Sequence, residues 1–149
     1  MRAILQRVTR ASVTVEGPEG PEVTGEIGPG VLALVGVTHD DTESRALKLA
    51  DKIWNLRIFD DADGVMNLSV ADTSRSVLVV SQFTIYGDTG KGRRPGYSAA
   101  ARPEQAEPLV DAVVAALRSA GAQVATGRFR TDMAVELVND GPITLTVDV

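Results

Sequence analysis

The sequence predicts an α/β fold, a β-rich curved sheet or open barrel with two helices packed on one side. Three features carry that prediction: segments alternating apolar and polar residues, almost continuously apolar runs suited to buried strands, and two amphipathic stripes at helical spacing. In chain order, Ala3–Val8 and Ser12–Glu16 are predicted as two short strands; in the second, Val13 and Val15 alternate with Ser12, Thr14 and Glu16. Gly17-Pro18-Glu19-Gly20-Pro21 reads as a turn, because glycine and proline punctuate regular structure. Val31–Val37 is apolar nearly throughout and reads as a buried strand. A helix is expected over about 42–57, where Ala46, Leu49, Ala50, Ile53 and Trp54 form one stripe. Asp40, Asp41 or Thr42 can cap its first amides. Val77–Ile85 is a second buried strand, and a helix over about 104–120 carries the stripe Leu109, Ala112, Val113, Ala116 and Leu117, with Gly121 in the C-cap place. Two last strands are expected near Ala134–Val138 and Ile143–Val149.

The 149 residues suit one compact domain, 1–149, long enough to bury its core without staples. The absence of cysteine excludes a disulfide framework, a thiolate nucleophile and a Cys-based zinc site. Met1–Thr9 lacks the apolar core of a signal peptide and no apolar run approaches a membrane span, so a cytoplasmic protein with no membrane partner is expected. The net charge of −5 argues against broad nucleic-acid binding. Yet Tyr86–Pro103 holds Lys91, Arg93, Arg94 and Arg102 against Asp88 alone, a local charge of +3. By charge alone that is a solvated loop.

Familiar catalytic constellations are missing. His39 is the only histidine and has no G-x-S-x-G partner, so it reads as a polar turn residue rather than a triad base. One histidine and no cysteine leave no transition-metal site, and no metal or cofactor is expected. Asp60–Gly64 resembles half a calcium loop, but its register places Phe59 and Val70 at ligand positions, so it reads as a turn. Gly90-Lys91-Gly92-Arg93-Arg94 lacks the spacing of a P-loop. Chemistry must rely on backbone groups, hydroxyls or the substrate itself. Two segments remain. Ser81-Gln82-Phe83-Thr84 brings polar groups abruptly to the end of an apolar strand, where a plain strand end is the simpler reading. Asn139-Asp140-Gly141-Pro142 lies between the last two strands, where a hairpin turn is the simpler reading. The residues alone stop at an ester hydrolase or a ligand-binding module.

At these segments the chain resembles the bacterial D-aminoacyl-tRNA deacylases, over essentially its whole length. The matching stretches are Gln6–Val13, Lys52–Phe59, Met66-Asn67-Leu68, Val80–Thr84, Gly127-Arg128-Phe129 and Val138–Pro142. Two departures are small: Ile85 stands where leucine is usual, and the turn near Gly17–Pro21 looks longer. The resemblance implies hydrolysis of the ester in D-aminoacyl-tRNA and in mischarged glycyl-tRNA such as Gly-tRNA(Ala). It implies a homodimer with active sites at the interface. There a cis Gly141-Pro142 peptide enters the partner's pocket and rejects L side chains, with Arg7 as a brace. Backbone amides at Phe83 and Thr84 would stabilise the oxyanion, Ser81 and Gln82 would support the geometry, and the ribose 2′-OH would assist water. The Thr84 hydroxyl as nucleophile is the other chemical option, though the sequence offers it no base. Phe129, Met133 and Ala106 match positions near the adenosine, and Lys91, Arg93 and Arg94 would reach acceptor-stem phosphates. A non-enzymatic RNA 3′-end-binding module and a small-ester hydrolase are the competing readings.

Overall fold

The structure is a computed structural model describing residues 1–149. Eight strands and three helices follow in order: β1 (Arg2–Gly17), β2 (Gly20–Ile27), β3 (Gly30–Gly36), α1 (Glu43–Asn55), β4 (Phe59–Asp60), β5 (Met66–Leu68), α2 (Val70–Thr73), β6 (Ser76–Ser81), α3 (Pro103–Ser119), β7 (Gln123–Thr126) and β8 (Met133–Asp148). A six-stranded sheet runs β2-β1-β3-β6-β7, with β8 also paired to β1; β4 and β5 make a separate ribbon. The pairs β3–β6 and β6–β7 are parallel, and the other large-sheet pairs are antiparallel. The sheet curls until β2 meets β7. A Cβ added to Gly25 would lie 2.4 Å from the carbonyl oxygen of Thr126, so only glycine admits this approach.

Both faces of the sheet are buried. On one, Ala3, Leu5, Val31, Ala33, Val35, Val77 and Val79 pack with Ala46, Leu49 and Ile53 of α1 and Val110, Val113 and Leu117 of α3. On the other, Val8, Ala11, Val13, Ile27, Leu32, Leu78 and Val80 fill the inside of the curve. Alternate residues of β3 and β6 therefore enter different cores, which is why both strands read as unbroken apolar runs. Helices cover only the first face, as the sequence predicts.

Three expectations change. The two predicted N-terminal strands are one, β1, and the two predicted C-terminal strands are one, β8. The pattern broke because the pairing shifts register between Gln6 and Val8 and again between Val8 and Arg10. Thr9 is the extra residue of a bulge, which reverses the side-chain parity. Val8 before it and Ala11 and Val13 after it consequently enter the same inner core. The second predicted buried strand ends early: β6 stops at Ser81, and Phe83–Tyr86 forms a 3₁₀ turn. Finally, Thr42 occupies the N-cap of α1 without a side-chain cap. Asp41 is drawn elsewhere: its carboxylate pairs with the Met1 amino group and accepts from the Thr38 amide (2.7 Å) and Arg45 (3.1 Å).

Strands β2 and β7, the β4–β5 ribbon and α2 escape sequence reading because they are short or lack a period. The ribbon's turn is tied by Asp61, which accepts from the amides of Asp63 and Val65, 3.0 Å each, consistent with a turn reading of that segment. These bonds, that of Val65 foremost, hold the Asp61 carboxyl below its ordinary range. The single turn α2 carries a capping box between Ser69 and Asp72. Leu78 is fully buried in the inner core. Leu78→Ala is expected to lower the unfolding free energy by about 2–5 kcal/mol, read from denaturant titration, because the small inner core collapses poorly around a void.

Candidate active site

A cleft of about 700 Å³ opens where β6 ends. Its walls are Ser81, Gln82 and Phe83 from the strand end, Tyr97 and Ala100–Pro103 from the segment leading into α3, and Phe129–Met133 with Val135 from the start of β8. The central strand delivers the first group. Val35 of β3 pairs with Ser81, and the Gln82 amide donates to the Val35 carbonyl at 2.8 Å. The chain then tightens into the 3₁₀ turn. Phe83 and Thr84, as its first residues, have no acceptor inside the turn for their N–H groups. Phe83 is 55% exposed and meets Tyr97 edge-on, ring centroids 5.1 Å apart. The Gln82 side-chain amide donates to the Thr84 hydroxyl, whose only hydrogen-bond partner it is. An amide is no base, so the chain holds nothing positioned to deprotonate Thr84. Tyr86 closes the turn; burial foremost, and then Asp41, raise its phenol above the ordinary range.

The second wall is strapped down by the turn containing His39. His39 Nε2 donates to the Ser98 carbonyl at 2.7 Å, which places a proton on Nε2. Thr38 Oγ1 donates to Ala99 O (2.6 Å), the Ala101 amide to Val37 O (2.9 Å), and Gln105 Nε2 to His39 O (2.8 Å). His39 thus fastens the cleft wall, in keeping with a polar turn residue. The basic loop leaves and re-enters beside this wall through paired backbone bonds between Asp88 and Gly96, 2.7 and 2.9 Å. Lys91, Arg93 and Arg94 sit at its exposed tip and form no ion pair.

The Asn139–Pro142 segment is no hairpin turn. Opposite the single residue Arg7, β8 carries Asp140, Gly141, Pro142 and Ile143 between the pairs Gln6–Thr144 and Val8–Asn139. The Arg7 carbonyl, deprived of a ladder partner there, accepts from Asn139 Nδ2 at 2.8 Å, and the same nitrogen closes the loop onto Ile143 O at 2.9 Å. The Arg7 side chain is 8% exposed. It donates to Ile58 O (2.7 Å) and Asp140 O (3.3 Å) and pairs with the Asp140 carboxylate (3.1 Å). The Gly141–Pro142 peptide is cis, and Gly141 has φ +119°, a conformation open to glycine alone.

The structure gathers Ser81, Gln82, Phe83, Phe129 and Met133 at the cleft. Thr84 lies beside it on the turn, while Arg7, Gly141 and Pro142 form a separate cluster that does not line it. Ala106 differs from expectation: it faces the helix–sheet core at 9% exposure and is absent from the cleft wall. The cleft also contains Tyr97, Ala100, Ala101, Pro103, Arg130–Asp132 and Val135, which the sequence did not single out, and Arg102, which it marked only as part of a basic segment. An isolated tyrosine after a Gly- and Arg-rich stretch was the one available hint for the first of these.

The sequence model of the family described as D-Tyr-tRNA(Tyr) deacylase matches residues 4–148. The chain belongs to the D-aminoacyl-tRNA deacylase family. The D-aminoacyl-tRNA deacylase of Symbiobacterium thermophilum is 55% identical over 99% of this chain and 95% of its own. That of Bacillus velezensis strain FZB42 is 57% identical, covering 99% and 98%. Among solved structures, the c-Myc DNA Unwinding Element Binding Protein superposes with a TM-score of 0.92 at 38% identity, covering 100% of this chain and 99% of its own. A structure described as a probable eukaryotic D-amino acid tRNA deacylase shares the fold, with a TM-score of 0.85 at 16% identity over 99% and 98%. Membership makes the deacylase an ester hydrolase acting on D-aminoacyl-tRNA.

Arg7 ties three chain segments while almost fully buried. Arg7→Ala is expected to destabilise the deacylase by about 2–4 kcal/mol in denaturant titration, because it strands the Ile58 and Asp140 acceptors.

Proposed function

We propose that this protein is a proofreading hydrolase that clears D-amino acids, and glycine mischarged onto tRNAs such as tRNA(Ala), in the cytoplasm. The observation that carries the reading is the strand end itself. It presents two partnerless backbone amides, at Phe83 and Thr84, beside an aromatic-walled cleft, in a chain matched to the deacylase family from residue 4 to 148. A water molecule attacks the ester carbonyl carbon while the 2′-OH of the terminal ribose assists. The carbonyl oxygen takes up negative charge toward the amides of Phe83 and Thr84. The bond to the ribose 3′-oxygen then breaks, and that oxygen leaves with a proton. Ser81 and Gln82 hold the turn in place. Loss of one such donor costs about 10²–10³ in rate. Phe129 and Met133 flank the adenosine, and Lys91, Arg93 and Arg94 reach the acceptor stem.

Selection falls to Gly141 and Pro142 of a second copy of the chain. Their backbone meets the substrate amino group and crowds the side where an L side chain projects, so the wrong enantiomer is excluded by a clash. A backbone wall is indifferent to which D side chain it admits, and glycine has nothing to clash. Two features support the dimer. Gly141 and Pro142 do not line their own cleft, and β8, paired only with β1, exposes Val138 and Leu145. The competing reading is a module that binds RNA 3′ ends without cleaving them; the name of the unwinding-element-binding neighbour describes nucleic-acid binding of that protein.

Hydrolysis of D-tyrosyl-tRNA by the purified protein separates these readings. Release of D-tyrosine well above buffer, with L-tyrosyl-tRNA spared, is expected; saturable binding without release overturns the enzymatic reading. A 2′-deoxy terminal adenosine is expected to slow turnover sharply, and unchanged turnover refutes assistance by the substrate. Thr84→Ala is expected to retain reduced but measurable activity, whereas complete loss with folding and RNA binding intact identifies the hydroxyl as nucleophile.

A further inference from the structure

Two guanidinium groups on the cleft wall have no partner within the protein. Arg102 precedes the first turn of α3 and Arg130 lies on the segment entering β8, so two separate parts of the chain bring them to one cleft. Neither forms an ion pair, and neither side chain donates a hydrogen bond to the protein. Asp132, the one acid lining the cleft, comes within 4.0 Å of neither. Of the other arginines, Arg2, Arg7, Arg10, Arg45 and Arg128 each pair with a carboxylate, Arg57 and Arg118 donate hydrogen bonds within the chain, Arg75 lies over the Phe59 ring, and Arg93 and Arg94 stand at the tip of the basic loop, away from the cleft lining. In a chain of 20 acids against 15 lysines and arginines, the cleft lining holds two arginines against one acid. Arg130 adds a second peculiarity. Its φ is +58°, and only Ser74 shares a positive φ among the residues that carry side chains. Such a backbone is disfavoured for a residue with a Cβ, and it is held here where the side chain reaches the cleft.

We propose that Arg102 and Arg130 form a phosphate cradle inside the cleft, holding the phosphodiester backbone of the last nucleotides of the RNA 3′ end. The inference rests on the deacylase reading of the same cleft and adds residues to it. The aromatic and thioether surfaces of Phe83, Tyr97, Phe129 and Met133 suit a base and a ribose but offer nothing to a phosphate. Guanidinium groups supply paired N–H donors that match phosphate oxygens, and charge-assisted bonds of this kind are shorter and stronger than neutral ones. The loop cations Lys91, Arg93 and Arg94 lie outside the cleft lining, so they serve the stem while the two wall arginines serve the terminal nucleotides.

The test compares the unaltered protein with R102Q, R130Q and the double variant. Both side chains are exposed, and unchanged thermal midpoints check that folding is intact. On D-tyrosyl-tRNA, each single variant is expected to raise KM about 5–10-fold with kcat within twofold. On D-tyrosyl-adenosine, which lacks the phosphodiesters, kcat/KM is expected to stay within twofold. The slope of log KM against log salt is expected to fall by about 0.7 per arginine removed. R102K and R130K are expected to recover part of the loss. Unchanged KM on the tRNA, or equal losses on both substrates, overturns the cradle. Binding of an uncharged CCA trinucleotide, followed by fluorescence anisotropy, reads the same contacts without turnover. Weaker binding in the double variant supports the cradle even if the unaltered protein cleaves no ester, and identical binding overturns it. Failure of the cradle therefore remains distinct from failure of the deacylase reading.

Discussion

Arg7 marks the point at which the ladder between β1 and β8 fails, and its guanidinium holds the resulting loop in one shape. Both edges of β1 are hydrogen-bonded, β8 on one and β3 on the other along Arg2–Gln6, so neither strand can slide to absorb the extra residues of β8. Four residues of β8 stand against one of β1, and they must leave the sheet. A loop expelled in this way would ordinarily be mobile. Here Asn139 closes its base on two carbonyls, and a nearly buried cation binds its Asp140. Burying a guanidinium is costly unless its donors are used. Arg7 meets that condition by joining the loop to the segment after α1 through Ile58 and Asp140. The Gly141–Pro142 backbone is thus held jointly by Arg7 of β1 and by the segment's own Asn139 and Asp140.

The two cores divide the remaining work. The larger one, under the helices, supplies most of the apolar burial and packs against the central strands β3 and β6. The smaller one contains seven buried residues and reaches Val80, next to the end of β6. Met133 and Val135 pack against it and also line the cleft, so the cleft is the place where the inner core runs out of side chains. The strand end at Ser81 sits there between regular elements on two sides. It still opens to solvent through the exposed ring of Phe83. The third side, the segment before α3, has no regular structure of its own and takes its shape from Thr38, His39 and Gln105. The lone histidine therefore contributes through position.

Charge is arranged by location rather than by total. The chain is acidic overall, which keeps long-range attraction to nucleic acid weak. Glu22, Glu136 and Asp140 are engaged with Arg128, Arg10 and Arg7, away from the cleft lining, and Asp132 is the one acid on the cleft wall. The cleft wall itself carries two arginines against that one acid, with Lys91, Arg93 and Arg94 on the loop outside it. Such an arrangement suits recognition of one RNA end.

Much of the fold was legible in the sequence because its signals are local. The helical stripes of α1 and α3, the buried runs of β3 and β6 and the polar strand end at Ser81–Thr84 each lie within a few consecutive residues, where periodicity and composition report directly. The absence of a thiolate, a triad and a P-loop was equally a matter of composition. Tertiary structure decided what depends on distant partners. That β1 and β8 are each one strand follows from register across a ladder, and a bulge at Thr9 erases the alternation that would reveal it. The 3₁₀ turn at Phe83–Tyr86 carries Phe83 and Ile85 at alternate positions just after the apolar run and so looked like strand. Ala106 belongs to the core because α3 rotates that face onto the sheet. The cleft draws its walls from residues 81–83, 97–103 and 129–135, separations at which no pattern in a single sequence records proximity. The sequence by itself determined which segments could be helix, strand or polar strand end; which of them share a cleft was settled only by the curl of the sheet, because contact between distant segments is a property of packing.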